Sequence, residues 1–105
     1  MEKPNLSYIN SISGGDESVK KTLIDIIKKE FPEEKKEYYE SLSSRDYRKI
    51  EEDVHKLKHK ISILGLEKNY EIANRFEHNL RERSLEGLED FEKILKVISD
   101  YLKTI

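Results

Sequence analysis

From residue 50 to residue 64 the apolar positions step by four, three, four and three: Ile50, Val54, Leu57, Ile61 and Leu64. That is the beat of a helix with one narrow buried stripe. The same beat recurs on either side. Leu6, Ile9 and Ile12 mark a short first helix. Val19, Leu23, Ile26, Ile27, Phe31, Tyr38, Tyr39 and Leu42 mark a long second one. Ile72, Ala73, Phe76 and Leu80 mark a fourth, and Leu88, Phe91, Leu95, Ile98 and Leu102 a fifth. No stretch alternates in the period of two that a half-buried strand requires.

Breakers fall between these runs: Gly14-Gly15 before Asp16, Ser43-Ser44 before Asp46, then Gly65, and Ser84 as an N-cap before Leu85. Capping and breaker rules then place helices at about 5–13, 16–42, 46–64, 67–82 and 85–104. Pro32 lies inside the second and predicts a kink or a restart there, without chain reversal. Four long amphipathic segments on short loops predict an all-α, up-down-up-down antiparallel four-helix bundle, with the short first helix capping one end. Each segment alone is marginal in water, so stability must come from packing the stripes together.

Composition narrows the function classes. The chain has 105 residues, which sets the expectation of one domain over 1–105 and no room for a second catalytic domain. It has no cysteine, so disulfide frameworks, thiolate metal sites and cysteine nucleophiles are excluded. Twenty Lys+Arg against 22 Asp+Glu argue against general binding to nucleic acid or a membrane surface. No apolar run is long enough to span a bilayer, and the first residues lack a secretory pattern. A cytoplasmic protein is expected.

The inventory for chemistry is small. With Leu57 set at 0° and 100° per residue, His55 falls at about 160°, His59 at about 200° and Ser62 at about 140°. The two histidines and the serine therefore face away from the core, while Lys58 lies on the flank between core and water. An exposed histidine is either inert or a site. A pair at i and i+4 can bind zinc, but the place after His55 is Lys56, not the glutamate of the zincin pattern. Lys56, Lys58 and Lys60 repel a cation, so no metal site is expected. Residues 45–60 carry a surplus of two positive charges in a chain whose net charge is −2. A basic strip around an exposed imidazole suits a phosphoryl group, although many solvated helix faces look similar. His78 matches no motif and reads as an ordinary surface residue. Tyr38-Tyr39 reads as core and boundary packing, and Glu33-Glu34-Lys35-Lys36-Glu37 as a solvated face.

The run His55-Lys56-Leu57-Lys58-His59-Lys60-Ile61-Ser62-Ile63-Leu64-Gly65-Leu66 resembles the signature of histidine phosphotransfer domains of multistep phosphorelays. Their pattern reads H-x-[LI]-K-G, with a further glycine ten places after the histidine. His55, Leu57, Lys58 and Gly65 occupy those places. Gly14-Gly15-Asp16 between the first two helices, Asp46 ahead of the histidine helix and the pair Phe76-Glu77 extend the likeness over nearly the whole chain. His59 stands in the place of the usual glycine, Lys60 and Ile61 replace small residues, and Asn69 stands where leucine is common.

The resemblance implies a phosphocarrier and not an enzyme in its own right. His55 would take a phosphoryl group from the phospho-aspartate of a receiver domain and pass it to another receiver, as one step of two-component signalling. Magnesium and the charged catalytic residues would belong to the receiver, so no cofactor is expected on this chain. Lys58 would offer its ammonium to the phosphoryl oxygens, or merely solvate the helix. His59, Ser62 and Gly65 are the candidate partner-facing residues. Gly65 also reads as a helix C-cap, and His59 reads either as a steric gate or as a second donor. A docking module that binds a receiver or kinase without accepting phosphate is the alternative. The implied partners are receiver domains of response regulators or hybrid kinases, met by a monomer.

Overall fold

Two aspartates start the two longest helices, as their positions after the breakers require. The computed structural model describes residues 2–105 and holds five helices: α1 (Ser7–Ser13), α2 (Glu17–Ser44), α3 (Tyr47–Ile63), α4 (Glu67–Arg81) and α5 (Leu88–Leu102). The Asp16 carboxylate accepts the N–H groups of Ser18 at 2.9 Å and Val19 at 3.2 Å, and Asp46 accepts that of Lys49 at 3.2 Å. Each satisfies donors that an unfinished helix end leaves bare. No strand occurs among the described residues.

Two boundaries differ from expectation. α2 runs through Pro32 as one helix of 28 residues, with no restart. Proline frees the carbonyl four residues back, here that of Lys28, and both residues are exposed, where water can take the freed acceptor. Ile27, Phe31 and Tyr38, on either side of the proline, are all buried and keep the two halves in line. α5 begins at Leu88 instead of residue 85. Arg83 (φ 58°) and Gly87 (φ 95°) adopt left-handed backbone, and the Ser84 hydroxyl accepts the Glu86 N–H at 3.2 Å within the loop instead of capping a helix. Gly87 is the breaker that ends the turn.

The core is built from the stripes. Ile50, Val54, Leu57 and Ile61 of α3, with Leu64 at its C-cap, are at most 1% exposed. Phe91 of α5 stacks against Tyr38 of α2 (ring centroids 5.3 Å) and Phe76 of α4 (5.1 Å), so one ring ties three helices together. α3 packs between α2 and α4, α4 packs on α5, α5 returns to α2, and α1 lies against α2. The result is a helical bundle 44 Å long, about the length of α2 itself at 1.5 Å per residue. Val19 and Ile26, expected in the α2 stripe, are 42% and 45% exposed. α2 is nearly twice as long as α4 or α5, and its first turns outrun the helices that would cover them.

Polar contacts fix the register between helices. On the α2 side, α3 joins Asp53 to Ser41, Lys56 to Glu37 (3.6 Å), and Lys60 to Glu34 (3.2 Å) and Glu30 (3.0 Å). On the α4 side it joins Glu51 to Arg81 (3.2 Å), His55 to Glu77 (2.9 Å) and Lys58 to Asn74 (2.9 Å). On both seams the partner's number falls as that on α3 rises. Lys35 of α2 likewise donates to Ser99 of α5 at 2.9 Å. The run 33–37, expected to be a solvated face, thus sends Glu34, Lys35 and Glu37 to neighbouring helices, because α2 is flanked on both sides.

Gly65 closes α3. Its N–H donates to Ser62 O at 3.0 Å and that of Leu66 to Ile61 O at 3.2 Å, the paired bonds of a Schellman cap, with Leu66 and Ile61 both buried. Gly65 has φ +75°, and a Cβ there would sit 2.5–2.8 Å from three side-chain atoms of Asn5. Asn5 is itself tied down, its N–H donating to Leu64 O at 2.8 Å. Gly65→Ala is therefore expected to cost about 1–2 kcal/mol. Gly14→Ala, with φ +57° but open space around it, should cost less. Urea unfolding with an unchanged m-value reads both; equal costs would show that the Asn5 contact gives way freely.

Candidate functional site

One turn of α3 separates His55 from Lys58, and one turn of α4 separates Asn74 from Glu77. Where the two helices pack, these four side chains meet. The His55 ring, 57% exposed, has Nδ1 2.9 Å from Glu77 Oε1. Lys58 Nζ donates to Glu77 Oε2 at 2.8 Å and to Asn74 Oδ1 at 2.9 Å, and lies 5.3 Å from the centre of the Tyr70 ring. Glu77 and Lys58 are 4% and 8% exposed. The chain of contacts runs from a wet imidazole through a buried carboxylate to a buried ammonium.

Burial by itself would raise the Glu77 carboxyl toward its neutral form. The hydrogen bonds from Lys58 and His55, with the charges they carry, outweigh it and hold Glu77 below the ordinary carboxylate range. An ionised carboxylate only accepts, so whenever the His55 ring is neutral its single hydrogen belongs on Nδ1. The lone pair is then on Nε2, the nitrogen not engaged by Glu77. A tautomer locked by a buried partner on one side and open on the other is a poised nucleophile and proton acceptor.

The candidate residues come together only in part. His55 is exposed, as the helical angle requires. Lys58, expected on the flank beside water, is buried beneath the site with its ammonium bound to Glu77 and Asn74. The expected basic strip also dissolves: Lys56 and Lys60 turn toward acidic residues of α2, and Lys58 toward α4. Alternate lysines on a helix point about 200° apart, so three of them cannot ring one side chain. His59 sits edge-on against His55, ring centroids 5.0 Å apart. Ser62 is exposed but lies about 10 Å further along the axis, beyond reach of the His55 ring. Gly65 lies further along still, at the helix end already described. Among the described residues no group of three or more His, Asp or Glu side chains is arranged to hold a metal. Tyr38 is buried with its hydroxyl on Glu92 at 3.1 Å, Tyr39 is half-exposed, and His78 is exposed.

Glu77 joins the site although sequence reading leaves it without a role, and Asn74 is not singled out there. The signal for Glu77 was present. It shares the inward arc of α4 with Ala73, Phe76 and Leu80, and a glutamate in an apolar arc requires a partner. Asn74 carried no comparable mark, because its position faces the seam and water together.

The sign of the Glu77 shift sets a pH dependence. Its folded-state value lies below the unfolded one, so the stabilisation is complete above the ordinary carboxylate range and is lost as pH falls through the folded value. Glu77→Gln is expected to cost about 1–3 kcal/mol at pH 7, and the gap to wild type should close on acidification. Glu77→Ala, which strands the Lys58 ammonium, should cost about 3–5 kcal/mol. Denaturant midpoints across pH 2–7 measure both; a gap that widens toward acid would contradict the assigned charge state.

Compared with known proteins, the chain matches no family model, no curated protein and no solved structure. The resemblance to histidine phosphotransfer domains rests on the residues themselves.

Proposed function

We propose that this chain is a histidine-containing phosphocarrier that relays a phosphoryl group between aspartates of receiver domains through His55. The observation that carries the reading is the 2.9 Å contact from His55 Nδ1 to the buried carboxylate of Glu77. It leaves Nε2 as the nucleophile on an exposed helix face. In the transfer, the Nε2 lone pair forms the N–P bond in line as the bond from phosphorus to the aspartate oxygen breaks. The aspartate leaves as a carboxylate. The His55 ring keeps its Nδ1 proton and becomes cationic, and the Glu77 carboxylate beside it stabilises that charge. Lys58 acts one step back, holding Glu77 ionised and in place. Such transfer needs alignment and charge stabilisation more than covalent help from the carrier, and the metal and remaining catalytic groups belong to the receiver.

The reading includes an up-down-up-down antiparallel four-helix bundle, α2 to α5, with α1 across one end. The opposed registers on both sides of α3 support it. It also includes a cytoplasmic monomer that binds neither nucleic acid nor membrane. The near-balanced charge supports the lack of nucleic-acid and membrane-surface binding, and no helix among the described residues is long and apolar enough to cross a membrane. A second reading, a docking module that binds a receiver or kinase without accepting phosphate, draws on the His59 ring, which fills space beside the acceptor.

Incubation with a phosphorylated receiver is expected to place acid-labile, alkali-stable phosphate on wild type and on His59→Gln, and none on His55→Gln. Label that survives in His55→Gln would overturn the assignment. Receiver binding without label in any variant would establish the docking module instead. Glu77→Ala, where it folds, should transfer at least tenfold more slowly, since the ring loses both its tautomer lock and its counter-charge.

A further inference from the structure

A phosphoryl group on His55 Nε2 brings close to two negative charges to the helix surface, while Lys56, Lys58 and Lys60 are each paired with a carboxylate of another helix. The charged groups of α2 in ion pairs with α3 are Glu30, Glu34 and Glu37, held by Lys60 and Lys56. Those of α4 are Glu77, held by Lys58 and His55, and Arg81, held by Glu51. The side chain in ring contact with His55 that can gain a positive charge near neutral pH is His59. It is exposed, one turn along the same face, with its ring 5.0 Å from that of His55 and inclined at 64°.

Resting on the carrier reading, we infer that His59 is a phosphoryl-binding residue: its imidazolium donates a hydrogen bond to an oxygen of the phosphoryl group on His55. The cation that the sequence pattern assigned to lysine is supplied here by a group that titrates. Charge-assisted N–H to phosphate contacts are among the stronger hydrogen bonds. Because the contact requires protonated His59, the phosphorylated state gains stability as pH falls through the imidazole range, and the carrier's phosphoryl affinity becomes coupled to pH. His59 is thereby a donor to the phosphoryl group and not only a ring that crowds the docking partner.

Linkage makes the coupling reciprocal, so it can be read without knowing the cognate receiver. The full chain is treated with phosphoramidate, whose P–N bond breaks, releasing ammonia, as the new bond forms at His55 Nε2. The site of modification is read by phosphorus NMR and mass spectrometry, and the His59 ring is followed by carbon–proton NMR from pH 5 to 9. With phosphate on His55, the proton affinity of His59 is expected to rise about tenfold, a shift of one pH unit. An unmoved His59 titration with His55 phosphorylated would overturn this inference and leave the carrier reading standing. Phosphate on His59 in place of His55, or a His55 that the reagent cannot modify while other exposed histidines react, would overturn both. His59→Gln is exposed enough to fold normally; it should still take phosphate at His55 but lose the extra proton uptake on phosphorylation, measured by pH-stat.

Discussion

A carboxylate buried between two helices cannot be left alone, and Glu77 governs this molecule accordingly. At 4% exposure an ionised side chain demands partners, and it has two, an ammonium and an imidazole, both delivered by α3. The pair with Lys58 is inaccessible and holds the seam in register. The contact with His55 reaches the surface and settles which ring nitrogen carries hydrogen. One charge thus links the packing of α3 on α4 to the reactivity of a side chain in water.

The remaining polar contacts make that link rigid. α3 is braced on its other side by Asp53, Lys56 and Lys60 against α2, so the helix that carries His55 is held from both flanks. Its end is stopped by Gly65, over which the N-terminal segment crosses. Ion pairs that are half-buried or exposed in this way contribute less to net stability than their number suggests, because desolvation and screening offset much of the attraction. Their effect here is on specificity: each pair is made in one register and broken in any other.

Charge also explains why the site differs from its outline in the sequence. Read along the chain, three alternate lysines flank His55 and look like an anion trap. In space they diverge, and each finds a carboxylate on another helix. The local charge surplus of residues 45–60 is consumed by α2 and α4, which a window of sixteen residues cannot contain. What stays beside His55 is a second imidazole, a group whose charge depends on pH as that of lysine does not in the physiological range.

How far the chain could be read follows from the range of the forces involved. Helix periods, the Asp16 and Asp46 caps, the Gly65 stop and the outward face of His55 all arise from neighbours within a few residues, so they were legible. The start of α5 was missed although Gly87 marked it, because Ser84 offered an equally plausible cap. The course of α2 through Pro32 depended on whether the freed carbonyl faced water, which only packing decides. The roles of Glu77 and Asn74, the burial of Lys58 and the exposure of Val19 and Ile26 were likewise settled by tertiary structure. Each depends on which surface of another helix lies opposite, some twenty residues away in sequence for Glu77 and His55, and periodicity within one helix carries no record of its neighbour's register.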